Sequence, residues 1–331
     1  MSHLTVSVAA PGGAVGHAHG TAATEGRPHR ARYPPRTDVA TVPDRGVSAY
    51  PAGMDPGGSA AGAEAISAAE QAAGTRPPPP AAADGTPGHR PYRTVADLDH
   101  ALVDCRACPR LVRWREEVAR TKRAAFQDET YWGRPVPGFG PDDAGMLIVG
   151  LAPAAHGGNR TGRMFTGDRS GDVLFAALHA VGLATRPVAE HAEDGMRLLG
   201  VRMTAPVHCA PPENKPTVAE RDRCRGWLEA ELDLLAPTAR TVVVLGAFGW
   251  QALLPALAGA GWSIPRPRPK FGHGARVRLE PARPDRAPLE LFGCYHVSQH
   301  NTFTGRLTPA MLEDVLATAA TAAGLHPRPT R

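Results

Sequence analysis

The chain has 331 residues, 42% of them hydrophobic, and a formal net charge of +5, enough for one large folded domain or two small ones. Nowhere do eighteen apolar residues run uninterrupted, which excludes a membrane-spanning helix, and the first residues lack the basic stretch and apolar run of a secretory signal. Five cysteines in such a chain argue against a disulfide framework and for metal or catalytic use.

Residues 1–93 are dense in Ala, Gly and Pro and poor in large apolar side chains, so they are expected to form a disordered tail. They carry eight basic and seven acidic residues, which leaves most of the positive surplus on the remainder. That surplus permits a nucleic-acid partner without requiring one. One domain is expected over residues 94–326, with a short tail at 327–331.

Within it, residues 95–122 read as one or two helices containing Cys105 and Cys108. A glycine- and proline-containing loop, 131–141, leads to the strand Met146-Leu-Ile-Val149. Gly150 to Asp168 then carries five glycines, and a helix follows over 170–183. A second strand near 200–208 ends in Cys209-Ala-Pro-Pro-Glu-Asn-Lys-Pro216, and Thr217 with Glu220 forms a capping-box pattern opening a helix to about 235. A third strand spans 241–245, a helix 248–257, a fourth strand 289–296, and a last helix 309–325. Strands alternating with helices imply a three-layer α/β/α fold around a mainly parallel, four-stranded sheet. Ligands bind such sheets beyond the carboxyl ends of the strands, which makes Gly150–Asp168 the candidate site.

Gly157-Gly-Asn-Arg-Thr-Gly162-Arg163-Met164 has the outline of a phosphate-binding loop in the right strand-to-helix context. It places Arg163 where the lysine belongs and Met164 where a magnesium-binding hydroxyl belongs, which argues against nucleotide hydrolysis. Cys105 and Cys108 are spaced to bind one metal centre, and Cys209 with Cys224 supplies a second pair. Four thiolates suit zinc or an iron–sulfur cluster, and spacing does not separate the two. Cys294, inside a strand, reads as a small buried residue.

Three segments together carry a resemblance. Gly150-Leu-Ala-Pro-Ala-Ala-His-Gly-Gly-Asn-Arg-Thr-Gly-Arg163 with Phe165-Thr-Gly-Asp168, then Cys209-Ala-Pro-Pro-Glu-Asn-Lys-Pro216, then His296-Val-Ser-Gln-His-Asn-Thr-Phe-Thr-Gly-Arg306 are similar to the signature segments of family 5 uracil-DNA glycosylases. The resemblance implies a [4Fe–4S] cluster on Cys105, Cys108, Cys209 and Cys224. It implies a base pocket lined by Gly150, Leu151, Ala152, Pro153, Ala154 and His156, with Phe165 stacking on a base swung out of the duplex. His296 is expected to donate to the departing base, and Asn214 to orient the attacking water, since Leu151 stands where related families place a polar group. Asp168 is the alternative base, or else a helix cap.

Arg160, Arg163 and Arg306 are expected at phosphates. Gln299, Asn301, Thr302, Phe303 and Gly305 complete the segment expected to enter the DNA. In the similar family 4 an asparagine reads the uracil edge where this chain has Ala205, so hypoxanthine is expected as a further substrate. The expected partner is double-stranded DNA containing deaminated bases. The protein is expected to act as a cytoplasmic, nucleoid-associated monomer without lyase activity. An iron–sulfur DNA-binding or redox-sensing protein lacking the chemistry is the alternative function.

Overall fold

The computed structural model describes residues 92–326. The expected tails lie outside the described residues, except for Tyr92 and Arg93 at the end of the first. Tyr92 packs its ring against Trp227 with centroids 5.9 Å apart, so the folded region begins before residue 94.

The residues expected to form one or two helices form two. α1, Val95–Leu102, is opened by a reciprocal capping box between Thr94 and Asp97, and α2, Pro109–Thr121, starts on a proline with Cys108 as its cap residue. Strand β1, Met146–Val149, is buried along its whole length. It leads through the short helix α3, Gly158–Thr161, to α4, Arg169–Ala180. β2, Val201–Thr204, is followed by a single 3₁₀ turn, Pro212–Asn214, and then by α5, Val218–Leu235, where the expected Thr217–Glu220 box is formed. β3, Thr241–Leu245, precedes α6, Ala247–Gly259. The chain closes with β4, Arg276–Leu279, β5, Leu289–Cys294, the short helix α7, Gln299–Phe303, and α8, Pro309–Ala322.

The sheet has five strands in the order β2-β1-β3-β5-β4. The four expected strands are mutually parallel, and β4 joins β5 antiparallel at the edge. β4 carries no clear strand signal in its sequence, because Arg-Val-Arg-Leu alternates charge with apolar bulk over only four residues. Its two arginines are exposed, as suits an edge strand that must not recruit another edge.

Alternate residues of the parallel strands face opposite layers. Met146, Ile148, Met203, Val243 and Phe292 pack with Leu174, Leu178, Leu312 and Leu316 from α4 and α8. Leu147, Val149, Val242, Val244 and Leu291 pack with Leu228, Leu232, Trp250 and Leu253 from α5 and α6. Burial on both faces explains the unbroken apolar runs of these strands and fixes the three-layer architecture. A buried polar network ties β2 to the helices: Arg202 bonds both carboxylate oxygens of Asp99, at 3.0 and 2.8 Å, and Glu231 Oε1 at 2.6 Å, while Thr204 donates to Glu231 Oε2 at 2.5 Å.

Candidate active site

β1 has β2 on one side and β3 on the other, so the chain reverses its winding direction there. In open parallel sheets the loops leaving the carboxyl ends of the strands at such a reversal are where ligands bind. Gly150 follows β1, and its amide donates to Thr204 O at 3.0 Å. A Cβ on Gly150 would lie 2.5 Å from Phe165 Cζ, and one on Gly249 would lie 2.7 Å from Gly150 O. The missing side chains let the Phe165 ring lie against bare backbone. Phe165 itself has φ 54°, a left-handed conformation costly for an aromatic residue, and its ring is only partly buried. Ala152 packs with Leu111, Val207 and Cys209, and Pro153 packs beneath Gly158, so these two side chains serve the inner packing of the loop. Leu151 and Ala154 are half-buried.

His156 Nδ1 lies 3.0 Å from the Tyr131 hydroxyl, a partner the sequence did not disclose. Burial, with help from the nearby Arg123 and Arg160 charges, lowers the His156 pKa and favours the neutral ring. Asp168 is the N-cap of α4, accepting from the Gly171 amide at 2.9 Å. Its carboxylate lies where a Gly157 side chain would be. Burial pushes the Asp168 carboxyl up, against the pull of the Gly171 and Ser170 amides.

Arg160 and Arg163, expected at phosphates, are engaged by internal partners. Arg160 is buried, donates to His156 O at 2.8 Å and Gly167 O at 2.9 Å, pairs with Glu129, and stacks over Phe126. Arg163, also buried, grips Asp194 through both terminal nitrogens at 2.8 and 2.7 Å, and its Nε donates to Thr166 Oγ1 at 2.9 Å. A glycine-rich loop with little helix leaves carbonyls unpaired, and the several donors of a guanidinium satisfy them from within.

At the next strand ends the geometry is more open. Asn214 sits in the 3₁₀ turn after β2 with φ 56°, directly after Glu213 at φ 54°. Two consecutive left-handed residues are a strained arrangement that asparagine tolerates better than glutamate. The Asn214 side chain is exposed and has no hydrogen-bond partner among the described residues. His296 follows β5, with its Cβ 3.2 Å from the position a Gly246 Cβ would take. Burial lowers its pKa, favouring the neutral ring, and its ring nitrogens have no partner among the described residues. Ala205, just past β2, is buried.

The segment expected to enter DNA contains a short helix, α7. Asn301 is turned inward, donating to His296 O at 2.8 Å, and Thr302 donates to Ser298 O at 3.2 Å, so both position the segment instead of facing outward. Phe303 is 70% exposed, Gln299 and Arg306 are exposed, and Gly305 turns the chain with φ 72°.

Cys105, Cys108, Cys209 and Cys224 line one cavity, together with Leu111 and Trp227. Arg115, which the sequence did not single out, is buried and donates to Cys209 Sγ at 2.9 Å and Cys105 O at 3.1 Å. Its own carbonyl accepts from Asn159 Nδ2 in the glycine loop at 3.2 Å. Burial pushes the Cys209 thiol up to about 11, and neighbouring cysteines add to the shift. Among the described residues no three His, Cys, Asp or Glu side chains are grouped to hold a single metal ion. Cys294 is buried in β5, as expected.

The sequence model of the Uracil DNA glycosylase superfamily matches residues 137–320. A type-5 uracil-DNA glycosylase of Mycobacterium tuberculosis is 55% identical over 233 residues, covering 70% of this chain and 83% of that protein. Type-5 enzymes of Mycobacterium leprae and Thermus thermophilus are 54% identical over 232 residues and 50% identical over 224. These matches cover 70% and 68% of this chain and 97% and 96% of those proteins. With the three signature segments at the carboxyl edge of one parallel sheet, this chain belongs to the type-5 uracil-DNA glycosylases.

Proposed function

We propose that the protein hydrolyses the N-glycosidic bond of uracil, and of other deaminated bases such as hypoxanthine, in double-stranded DNA, opening base excision repair. The observation that carries this reading is the pair of unpartnered side chains, Asn214 and His296, at two strand ends of the site. Bond cleavage places positive charge on the sugar and negative charge on the leaving base. A neutral His296 with a free N–H is suited to donate to the base carbonyl as that charge develops. Asn214 has no useful basicity near neutral pH, so its role is to orient water, and the strained turn fixes its direction. Phe165, held against Gly150, offers an aromatic face to a flipped base. Ala205 supplies no hydrogen bond to a base edge, which supports the wider substrate range. No lysine of the three segments is placed for Schiff-base chemistry.

The four cysteines are proposed to hold a [4Fe–4S] cluster. Four cysteines lining one cavity suit such a group, and its positive metal would offset the mutual repulsion of their thiolates. When bound, the cluster would supply a covalent tie between α1, α2, the Asn214 turn and α5. Arg115 would bond one ligand sulfur while holding the glycine loop through Asn159. Iron near four per chain with a broad visible absorbance is expected, and one equivalent of zinc without colour would overturn the cluster.

The test of function is incubation of the wild type, Asn214→Ala and His296→Ala with duplex DNA bearing one uracil or one hypoxanthine, followed by alkaline cleavage. Release by the wild type and a loss of about 10²–10³ in rate for His296→Ala are expected. An inactive wild type that still binds DNA would favour a binding or sensing protein instead. Intact hypoxanthine beside complete uracil release would restrict the substrate to uracil.

A further inference from the structure

From Gly261 to Leu279 the sequence has no acidic residue but holds Arg266, Arg268, Lys270, His273, Arg276 and Arg278. The two arginines of β4 are already neutralised, Arg276 by Glu290 at 2.6 Å and Arg278 by Glu280 at 2.8 Å. The other three differ: Arg266, Arg268 and Lys270 are exposed, and none has a hydrogen bond or ion pair with a described residue. They alternate with Pro265, Pro267 and Pro269. Each proline fixes its own φ, so the segment loses less conformational entropy on binding than an ordinary loop would.

The segment is anchored beside the candidate active site. Trp250 Nε1 donates to Pro269 O at 3.0 Å, and the Trp250 ring meets Phe271 with centroids 6.0 Å apart. Phe271 packs on Tyr295 at 6.5 Å, and His273 lies against the same ring at 4.9 Å while its Nδ1 accepts from the Tyr295 amide at 3.3 Å. Tyr295 directly precedes His296, and the exposed Arg306 guanidinium lies 4.6 Å from the Tyr295 ring centre. An aromatic chain therefore joins the three free cations to the strand end that carries His296 and to the segment bearing Phe303.

We propose that residues 265–270 form a proline-stiffened arm that binds the phosphate backbone of DNA flanking the extruded nucleotide. This rests on the glycosylase reading above. Three cations on a stiff, exposed strip fit a row of phosphates, which present one negative charge per nucleotide along a strand. The arm adds affinity that does not depend on sequence, and it replaces Arg160 and Arg163, which the fold uses internally.

The experiment compares wild type with the full-length triple variant R266Q/R268Q/K270Q and, as control, R276Q/R278Q. Equilibrium binding to duplex DNA carrying a non-cleavable abasic analogue is measured over roughly 50–200 mM salt, with thermal unfolding confirming that each variant folds. For the triple variant, the slope of log affinity against log salt is expected to become shallower by about 2 to 3 and affinity near 100 mM salt to fall about tenfold. The control is expected to keep the wild-type slope. A triple variant that folds and keeps the wild-type slope overturns the arm, while uracil release by the wild type leaves the glycosylase reading standing. A wild type that releases no uracil overturns that reading and the arm together.

Discussion

His296 and Asp168 differ in how their polar atoms are occupied. Asp168 already accepts a helix amide, so the cap accounts for its place in the sequence. Asp168→Asn, which preserves a capping oxygen, should keep uracil release near wild type, whereas Asp168→Ala should lower stability by about 1 kcal/mol in a denaturant titration. A large rate loss in the Asn variant with unchanged stability would instead make Asp168 a base. For His296, and for His156 in the glycine-rich loop, burial lowers the folded pKa below the unfolded value. The unfolded chain therefore binds more protons once pH drops under about 6.5. Stability from these rings is full above that pH and is lost as pH falls through the unfolded value toward the folded ones. Melting temperature should decline from about pH 7 to 5, and His296→Gln should flatten part of that decline. The positions of such side chains could be read from motifs, but the partners of Arg160 and Arg163 could not. Glu129 and Asp194 lie 31 residues away from them in sequence and meet them only when the loop closes.

At the scale of elements, α7 shows how a short helix converts a string of polar residues into two faces. Asn301 and Thr302 bond back to the chain, leaving Phe303 as the large apolar group turned to solvent. A mostly exposed phenylalanine contributes little to folding, so Phe303→Ala should leave the melting temperature within a degree or two while slowing uracil release from duplex DNA. Release from single-stranded DNA, where no stack is opened, should change much less. Equal losses on both substrates would argue against a wedge. The turn at Glu213 and Asn214 illustrates the limit of local reading: Pro211 and Pro212 signal a turn, but two left-handed residues in succession are imposed by the joining of β2 to α5.

For the whole molecule, stability concentrates where layers meet. Arg202 is buried between Asp99 and Glu231, which come from α1 and α5. Arg202→Met would strand two carboxylates and should cost about 3–5 kcal/mol in urea unfolding, with partial recovery on adding Asp99→Asn and Glu231→Gln. No helix among the described residues is long and apolar enough to cross a membrane.

The sequence by itself determined the four parallel strands, the helices between them, the Thr217–Glu220 capping box and the three signature segments. Those features depend on local periodicity and on residue types that only a few backbone conformations accept. Tertiary structure decided what distant residues do to each other. It set Phe165 against Gly150, drew Arg160 and Arg163 inward, gathered four cysteines around one cavity with Arg115 bonded to Cys209, and left Arg266, Arg268 and Lys270 uncompensated. Each outcome depends on which charges and surfaces the fold brings within a few ångströms, and separation along the chain carries no record of that distance.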